Sequence, residues 1–279
     1  MYIDKGGVNI VTNLKYPVLM VHGMGFRDSK HIGYWGRIPK ALEREGCTVF
    51  FGGQDSNGTV EDNAVYLAEK IKATAREHGI QKFNVIAHSK GGLDIRYAIS
   101  HLGMEQYIAS VSTISTPHNG SLTVDRLMRF PQPLIRLIGG CSDLWLRLCG
   151  DKKPNAYRVF QSLTTEHARK FNQENPDAEG IYYQSFAFTF KTAFSDIMLW
   201  FPHFVVKIFE GENDGLLAPR AVQWANFRGV YTSNSNRGIS HCDEVDMRRF
   251  RFTKKQGDGI SDIVDFYTAL IHELAEKGY

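Results

Sequence analysis

Four short apolar runs, separated by stretches of helical periodicity, constrain this chain more than any other feature. They cover residues 16–21, 47–51, 83–87 and 108–114. The first is continuously apolar, the pattern of a strand buried on both faces, and the other three read as further strands. Helical segments are expected between them, over residues 34–45, 59–78 and 90–101. The second carries explicit boundary signals: Thr59 as N-cap, Asp62 three residues on, and Gly79 behind His78. Strand and helix in alternation give a mostly parallel central sheet flanked by helices, with right-handed crossovers. Farther on, residues 182–190 read as an aromatic strand, 205–209 as a return to the sheet, and 261–277 as a closing helix. A chain of 279 residues accommodates this as one domain, residues 1–279, with a helical insertion over about 121–180.

Composition excludes several classes. With 33 basic and 30 acidic side chains the net charge is +3, and no basic stripe points to nucleic acid. One local run, Arg248-Arg249-Phe250-Arg251 with Lys254 and Lys255, reads as a solvated surface loop, with contact to an anionic interface as the alternative. No pair among Cys47, Cys141, Cys149 and Cys242 has metal-ligand spacing. Cys141 and Cys149 could form a disulfide only in an exported protein. Residues 1–13 lack the apolar core of a signal peptide, and no stretch reaches the roughly 18 to 20 apolar residues of a membrane span. The expectation is a chain without a transmembrane segment, cytoplasmic or written in mature secreted form.

Between the third strand and its helix lies Ala87-His88-Ser89-Lys90-Gly91-Gly92. A serine at the tip of a tight strand-to-helix turn is strained, and the strain projects its hydroxyl out of the sheet. Strand and helix approach closely there, so small residues are needed on either side, and Ala87 and Gly91 supply them. Ser89 is the candidate nucleophile. An oxyanion would be held by backbone N–H groups of Lys90 and of Met24, the latter in the loop His22-Gly23-Met24-Gly25-Phe26 after the first strand. His22 then holds that loop rather than acting as base. The order serine, acid, histidine selects His241 as base, over His88, His118 and His272. Asp214 is the candidate acid in Glu210-Gly211-Glu212-Asn213-Asp214-Gly215, with Glu212 as competitor and a plain polar turn as the bland reading.

These stretches, with Ser115-Thr116-Pro117-His118-Asn119-Gly120 and His241-Cys242-Asp243-Glu244-Val245, resemble the true bacterial lipases of the α/β-hydrolase superfamily, Pseudomonas and Bacillus types included, in family order across about 230 residues. The resemblance implies a serine carboxylic ester hydrolase working through an acyl-enzyme on acylglycerols or other lipid esters, with no cofactor required. Esterase, thioesterase and acyltransferase chemistry use the same triad, and a non-catalytic binding module is a distant alternative. The resemblance also implies a structural Ca²⁺ at Asp243 and Asp196, although Met247 stands where a ligand often does. Alternatively, Asp243 braces its loop by hydrogen bonds. No zinc insertion is recognisable. Within the insertion, apolar residues mixed with arginines over residues 127–148 suggest amphipathic helices, either a lid that meets a lipid interface or a fixed cap. Residues 194–204, with Trp200 and Phe201, are an acyl-pocket candidate or core.

Overall fold

The computed structural model describes residues 12, 14–25, 33–254 and 257–279. Six parallel strands form one sheet in the order β2-β1-β3-β4-β5-β6, made of β1 (Val18–Val21), β2 (Val49–Phe51), β3 (Phe83–His88), β4 (Ile108–Ile114), β5 (Tyr182–Phe188) and β6 (Asn226–Tyr231). The pleat sends alternate residues to opposite faces. Val18, Met20 and Ile86 point to one core, closed by α1 (Ile38–Arg44) and the last helix, Ile263–Glu276. Leu19, Val21, Val85 and Ala87 point to the other, closed by α2 (Val60–His78) and α3 (Gly91–Leu102). The α2 boundaries follow the sequence signals: the Thr59 side chain accepts from the Asp62 N–H, and Gly79 takes the left-handed conformation at φ 66°.

Residues 121–180 hold four helices: α4 (Leu122–Leu127), α5 (Gln132–Leu148), α6 (Ala156–Ser162) and α7 (Thr165–Glu174). A single helix near residues 155–172 is expected from sequence, but the chain breaks where Thr164 caps α7 by accepting from the His167 N–H. Residues 205–209 are not a strand. They belong to α8 (Trp200–Glu210), and the sheet resumes only at β6, after the short α9 (Pro219–Val222). A short apolar run carries no periodicity of its own, and β6 is a half-exposed edge strand of mixed composition. Nor do residues 194–204 line a closed pocket: Phe194, Ile197, Met198, Phe201 and Phe204 are exposed. Among the described residues, no helix is long and apolar enough to cross a membrane. Cys141 and Cys149 are free, and their eight-residue offset along α5 and its C-cap, roughly 12 Å, exceeds disulfide reach.

One side chain ties the ends of the fold together. Arg37, at the N-cap of α1, donates to both Asp246 and Asp262 at 2.7–2.9 Å, joining the loop after His241 to the N-cap of the final helix, α10. Gly36 beside it has φ 50°, and a Cβ there would lie 2.3 Å from the Asp246 carbonyl oxygen. Arg37→Met leaves two nearly buried carboxylates facing each other. Because Arg37 is itself partly exposed, the expected cost is about 2 kcal/mol, a fall of about 5 °C in Tm by differential scanning calorimetry.

Candidate active site

The elbow is built by close backbone contact. Ser89 sits at φ 52°, a left-handed conformation that costs a non-glycine residue energy. It is held there by its N–H donating to the Ile114 carbonyl at 2.9 Å and by the Thr116 hydroxyl donating to the Ser89 carbonyl at 2.7 Å. A Cβ on Gly91 would lie 2.4 Å from the His22 carbonyl oxygen, so the helix can start only with glycine. The loop after β1 passes directly over the serine: a Cβ on Gly23 would stand 2.6 Å from the Ser89 Cβ. Met24 and Lys90, the two expected oxyanion donors, therefore flank Ser89; Phe26 lies outside the described residues. His22 holds this loop, as expected, through contacts to the Gly23 and Gln54 carbonyls at 2.8 and 3.0 Å. The Lys90 side chain is fully buried and folds back onto Asp94 at 2.6 Å, while Asn63 donates to the other Asp94 oxygen. Burial pushes the Asp94 carboxyl up to about 6 against the pull of Lys90.

Late in the chain, His241 and Asp214 are joined twice: Nδ1 to the Asp214 carboxylate at 2.8 Å, and the His241 N–H to the Asp214 carbonyl at 2.7 Å. The other Asp214 oxygen accepts from the Leu216 and Leu217 N–H groups. Burial alone would raise this carboxyl, but the charge and hydrogen bond of His241 and the two amides bring it below its usual value. The pair reaches the elbow through His88, whose ring centroid lies 4.4 Å from that of His241.

The other candidates separate cleanly. Glu212 is exposed, and Glu210 accepts from Ser121 and Thr123 at the start of the insertion. His118 contacts Arg96 and Thr113, and His272 faces Glu45 and Thr12.

Two members of this cluster escape a sequence reading. Glu244 is fully buried, with its Oε2 3.0 Å from His88 Nε2 and 3.8 Å from His241 Nδ1. Tyr34 bridges His88 Nδ1, at 2.7 Å, to the Gly23 N–H of the oxyanion loop, at 3.0 Å. Spacing three residues after the histidine is the only signal Glu244 gives in sequence, and Tyr34 gives none. Burial, then the Asp214 carboxylate, raise the Glu244 carboxyl well above its usual range, while burial and the neighbouring histidines lower His88. Burial and neighbouring charge thus favour the neutral form of Glu244, and the His241 and amide contacts the charged form of Asp214.

The donor set for the expected Ca²⁺ already holds a cation of the chain's own. Asp196, Asp243 and the Ser195 carbonyl converge near the His241 loop, but the Arg248 guanidinium lies among them, bonded to Asp243 through Nε at 2.8 Å and again through Nη2. Asp243 braces its loop, as the alternative had it. In the basic run Arg249, Arg251 and Lys254 are exposed, as a solvated surface loop would have them; the correction is to Arg248, which is half-buried in an ion-pair cluster, while Lys255 lies outside the described residues.

A match to the family model described as palmitoyl protein thioesterase covers residues 17–247, from β1 through the histidine loop. The chain belongs to the palmitoyl protein thioesterase family. Within the curated relatives it is 29% identical over 265 residues to triacylglycerol lipase 2 of Saccharomyces cerevisiae, covering 89% of this chain and 75% of that one. It is 30% identical over 176 residues to a triacylglycerol lipase of Vibrio cholerae, spanning 60% of this chain and 56% of the relative. Among solved structures, Staphylococcus hyicus lipase superposes with a TM-score of 0.66 at 18% identity, over 96% of this chain and 98% of that one. Mature Bacillus licheniformis lipase BlEst2 gives 0.65 at 21% identity, over 85% and 89%. The family member therefore has the α/β-hydrolase fold, and the expected enzyme class, an ester hydrolase acting on lipids, stands with the resemblance to lipases.

Glu244→Gln provides a test of the carboxyl assignment. A carboxyl raised in the folded state binds its proton more tightly there than in the unfolded chain. Wild-type stability therefore falls as pH rises above the unfolded value of 4.5 towards the folded one. Glutamine abolishes that slope, so Tm measured from about pH 5 to about pH 8 should favour Glu244→Gln increasingly at the alkaline end.

Proposed function

We propose that Ser89, His241 and Asp214 form the catalytic triad of a lipid-ester hydrolase. The observation that carries this reading is the doubly tied His241–Asp214 pair packed, through His88, against a strained serine at φ 52°. In the proposed reaction His241 Nε2 takes the Ser89 hydroxyl proton as the oxygen attacks the ester carbonyl. The Met24 and Lys90 N–H groups hold the resulting oxyanion. The tetrahedral intermediate expels the alcohol, which receives the proton from His241, and leaves an acyl-serine. A water activated by the same histidine releases the fatty acid and restores Ser89.

Two substrate readings have support. The names of the curated relatives favour acylglycerols, and the family match favours thioesters of long acyl chains. Either leaving group fits the same steps. Transient docking on a lipid interface also belongs to this proposal. Leu137, Ile138 and Trp145 on α5 and Phe201, Phe204 and Ile208 on α8 are more than half exposed, with Arg136 and Arg126 beside them. Such apolar exposure, rimmed by cations, suits an anionic lipid surface better than water.

The deciding assay follows hydrolysis of p-nitrophenyl esters from short to long chains, and of palmitoyl-CoA, by wild type and Ser89→Ala. Loss of about 10⁴-fold or more in kcat/KM in the variant is expected. Activity unchanged by Ser89→Ala removes the triad assignment. The ratio of ester to thioester turnover decides the leaving group. Trp145→Ser with Phe204→Ser should cut cosedimentation with anionic vesicles about tenfold while sparing turnover of soluble short-chain esters.

A further inference from the structure

Beside the His241 loop lies a pocket of oxygen atoms of the kind that binds a hard divalent cation: two carboxylates, a hydroxyl and a main-chain carbonyl. The Asp196 and Asp243 side chains are 2% and 4% exposed, so neither carboxylate is neutralised by solvent. The Ser240 hydroxyl donates to Asp196 at 2.6 Å, and the Ser240 N–H faces Asp243 at 3.2 Å. Both carboxylates therefore act on the residue immediately before His241. Asp196 is fixed from its own side by the Met198 N–H at 3.0 Å.

The cation in this pocket is covalent. Arg248 puts Nε and Nη2 on the two oxygens of Asp243 in a forked arrangement, approaches Asp196 with Nη2 at 3.8 Å, and donates from Nη1 to the Ser195 carbonyl at 2.9 Å. Arg237 donates to the same carbonyl. Both guanidinium groups stack over the Phe250 ring, at 5.0 Å for Arg248 and 5.5 Å for Arg237. Two buried carboxylates without a cation would repel each other and release Ser240. A guanidinium matches a carboxylate in two parallel bonds and is always charged, so it performs this task without a concentration-dependent ion.

We propose that Arg248 is the built-in cation of an oxygen-lined pocket, and that it positions His241 through Asp196, Asp243 and Ser240 in place of a divalent metal. The inference rests on the reading of His241 as the base, but its test also has a readout that needs no catalysis. Melting temperatures of wild type, Arg248→Met and Arg248→Lys are measured in EDTA and in millimolar CaCl₂, with kcat and KM for a soluble ester alongside.

Wild-type Tm should be the same in both buffers. Arg248→Met should melt about 5 °C lower or more in EDTA and regain most of the loss in CaCl₂. Its kcat should fall about tenfold in EDTA, with KM within about twofold, and recover with calcium. Arg248→Lys keeps the charge but not the fork, and should lie between the two. A wild type that loses stability in EDTA, or gains it in CaCl₂, overturns the proposal. So does an Arg248→Met protein with wild-type Tm and kcat. A folded Arg248→Met protein indifferent to calcium overturns the reading of the pocket as a cation site. If Arg248→Met does not fold in EDTA, the wild-type buffer comparison and Arg248→Lys still decide. Ser89-dependent activity of the wild type preserves the triad reading under any of these outcomes.

Discussion

The close approach of β1, β3 and α3 at Ser89 is the constraint on which the rest of the site depends. Three backbones meet within van der Waals contact there. A side chain on Gly91 would strike the His22 carbonyl, and one on Gly23 would strike Ser89 itself. That proximity brings the loop that carries Met24 over Ser89. It also accounts for the strain: the hydrogen bonds at the Ser89 N–H and carbonyl come from β4 and the turn after it, so the parallel sheet overrides the local preference of the residue. The strained conformation is thus a tertiary property, held by β4 rather than by the elbow alone.

Around this centre the chain uses charge to join segments distant in sequence. Arg37 clasps the loop after His241 to α10, and Arg248 ties the same loop, at Asp243, to residues 195 and 196. Before His241, the Ser240 hydroxyl donates to Asp196 and Arg237 donates to the Ser195 carbonyl. The His241 loop is thus held on both sides, and arginine forks fix direction as well as distance. The exposed apolar residues lie on α5 and on α8, whose His203 bonds Asn213 beside Asp214.

Where the sequence carries a local signal, it reads correctly. Thr59 and Gly79 bound α2, and the β4 run is continuous and buried. The elbow is legible because glycines and a serine must occur there in a fixed order. Legibility fails where tertiary packing decides. Residues 205–209 are a run of mixed apolar residues whose exposed helical face is unusual for a water-soluble surface, so they pass for a strand. The β6 strand, half exposed and interrupted by Gly229, shows no pattern to read. The chemistry divides the same way. Order along the chain names Ser89, Asp214 and His241 as candidates, and the fold joins the last two, but Arg248 looks solvated until the fold brings Asp196 to it.

Glu244 shows why one carboxyl and not the other can serve the histidine. Two carboxyl groups share one buried site with His241, and burial penalises ionisation of both. Asp214 receives two main-chain N–H groups at 2.8 Å and the closer contact to His241, at 2.8 Å against 3.8 Å for Glu244. Once Asp214 is ionised, its charge makes a second ionisation at Glu244 harder still. Favoured in its neutral form, Glu244 faces His88 Nε2 at 3.0 Å, while Asp214 holds His241 Nδ1. His88 in turn holds Tyr34, and Tyr34 the Gly23 N–H, so a carboxyl kept neutral beside the base is linked through two side chains to the oxyanion loop. The environments that push the two carboxyls apart therefore distribute them between two contacts: Asp214 holds His241, and Glu244, through His88 and Tyr34, braces the loop after β1.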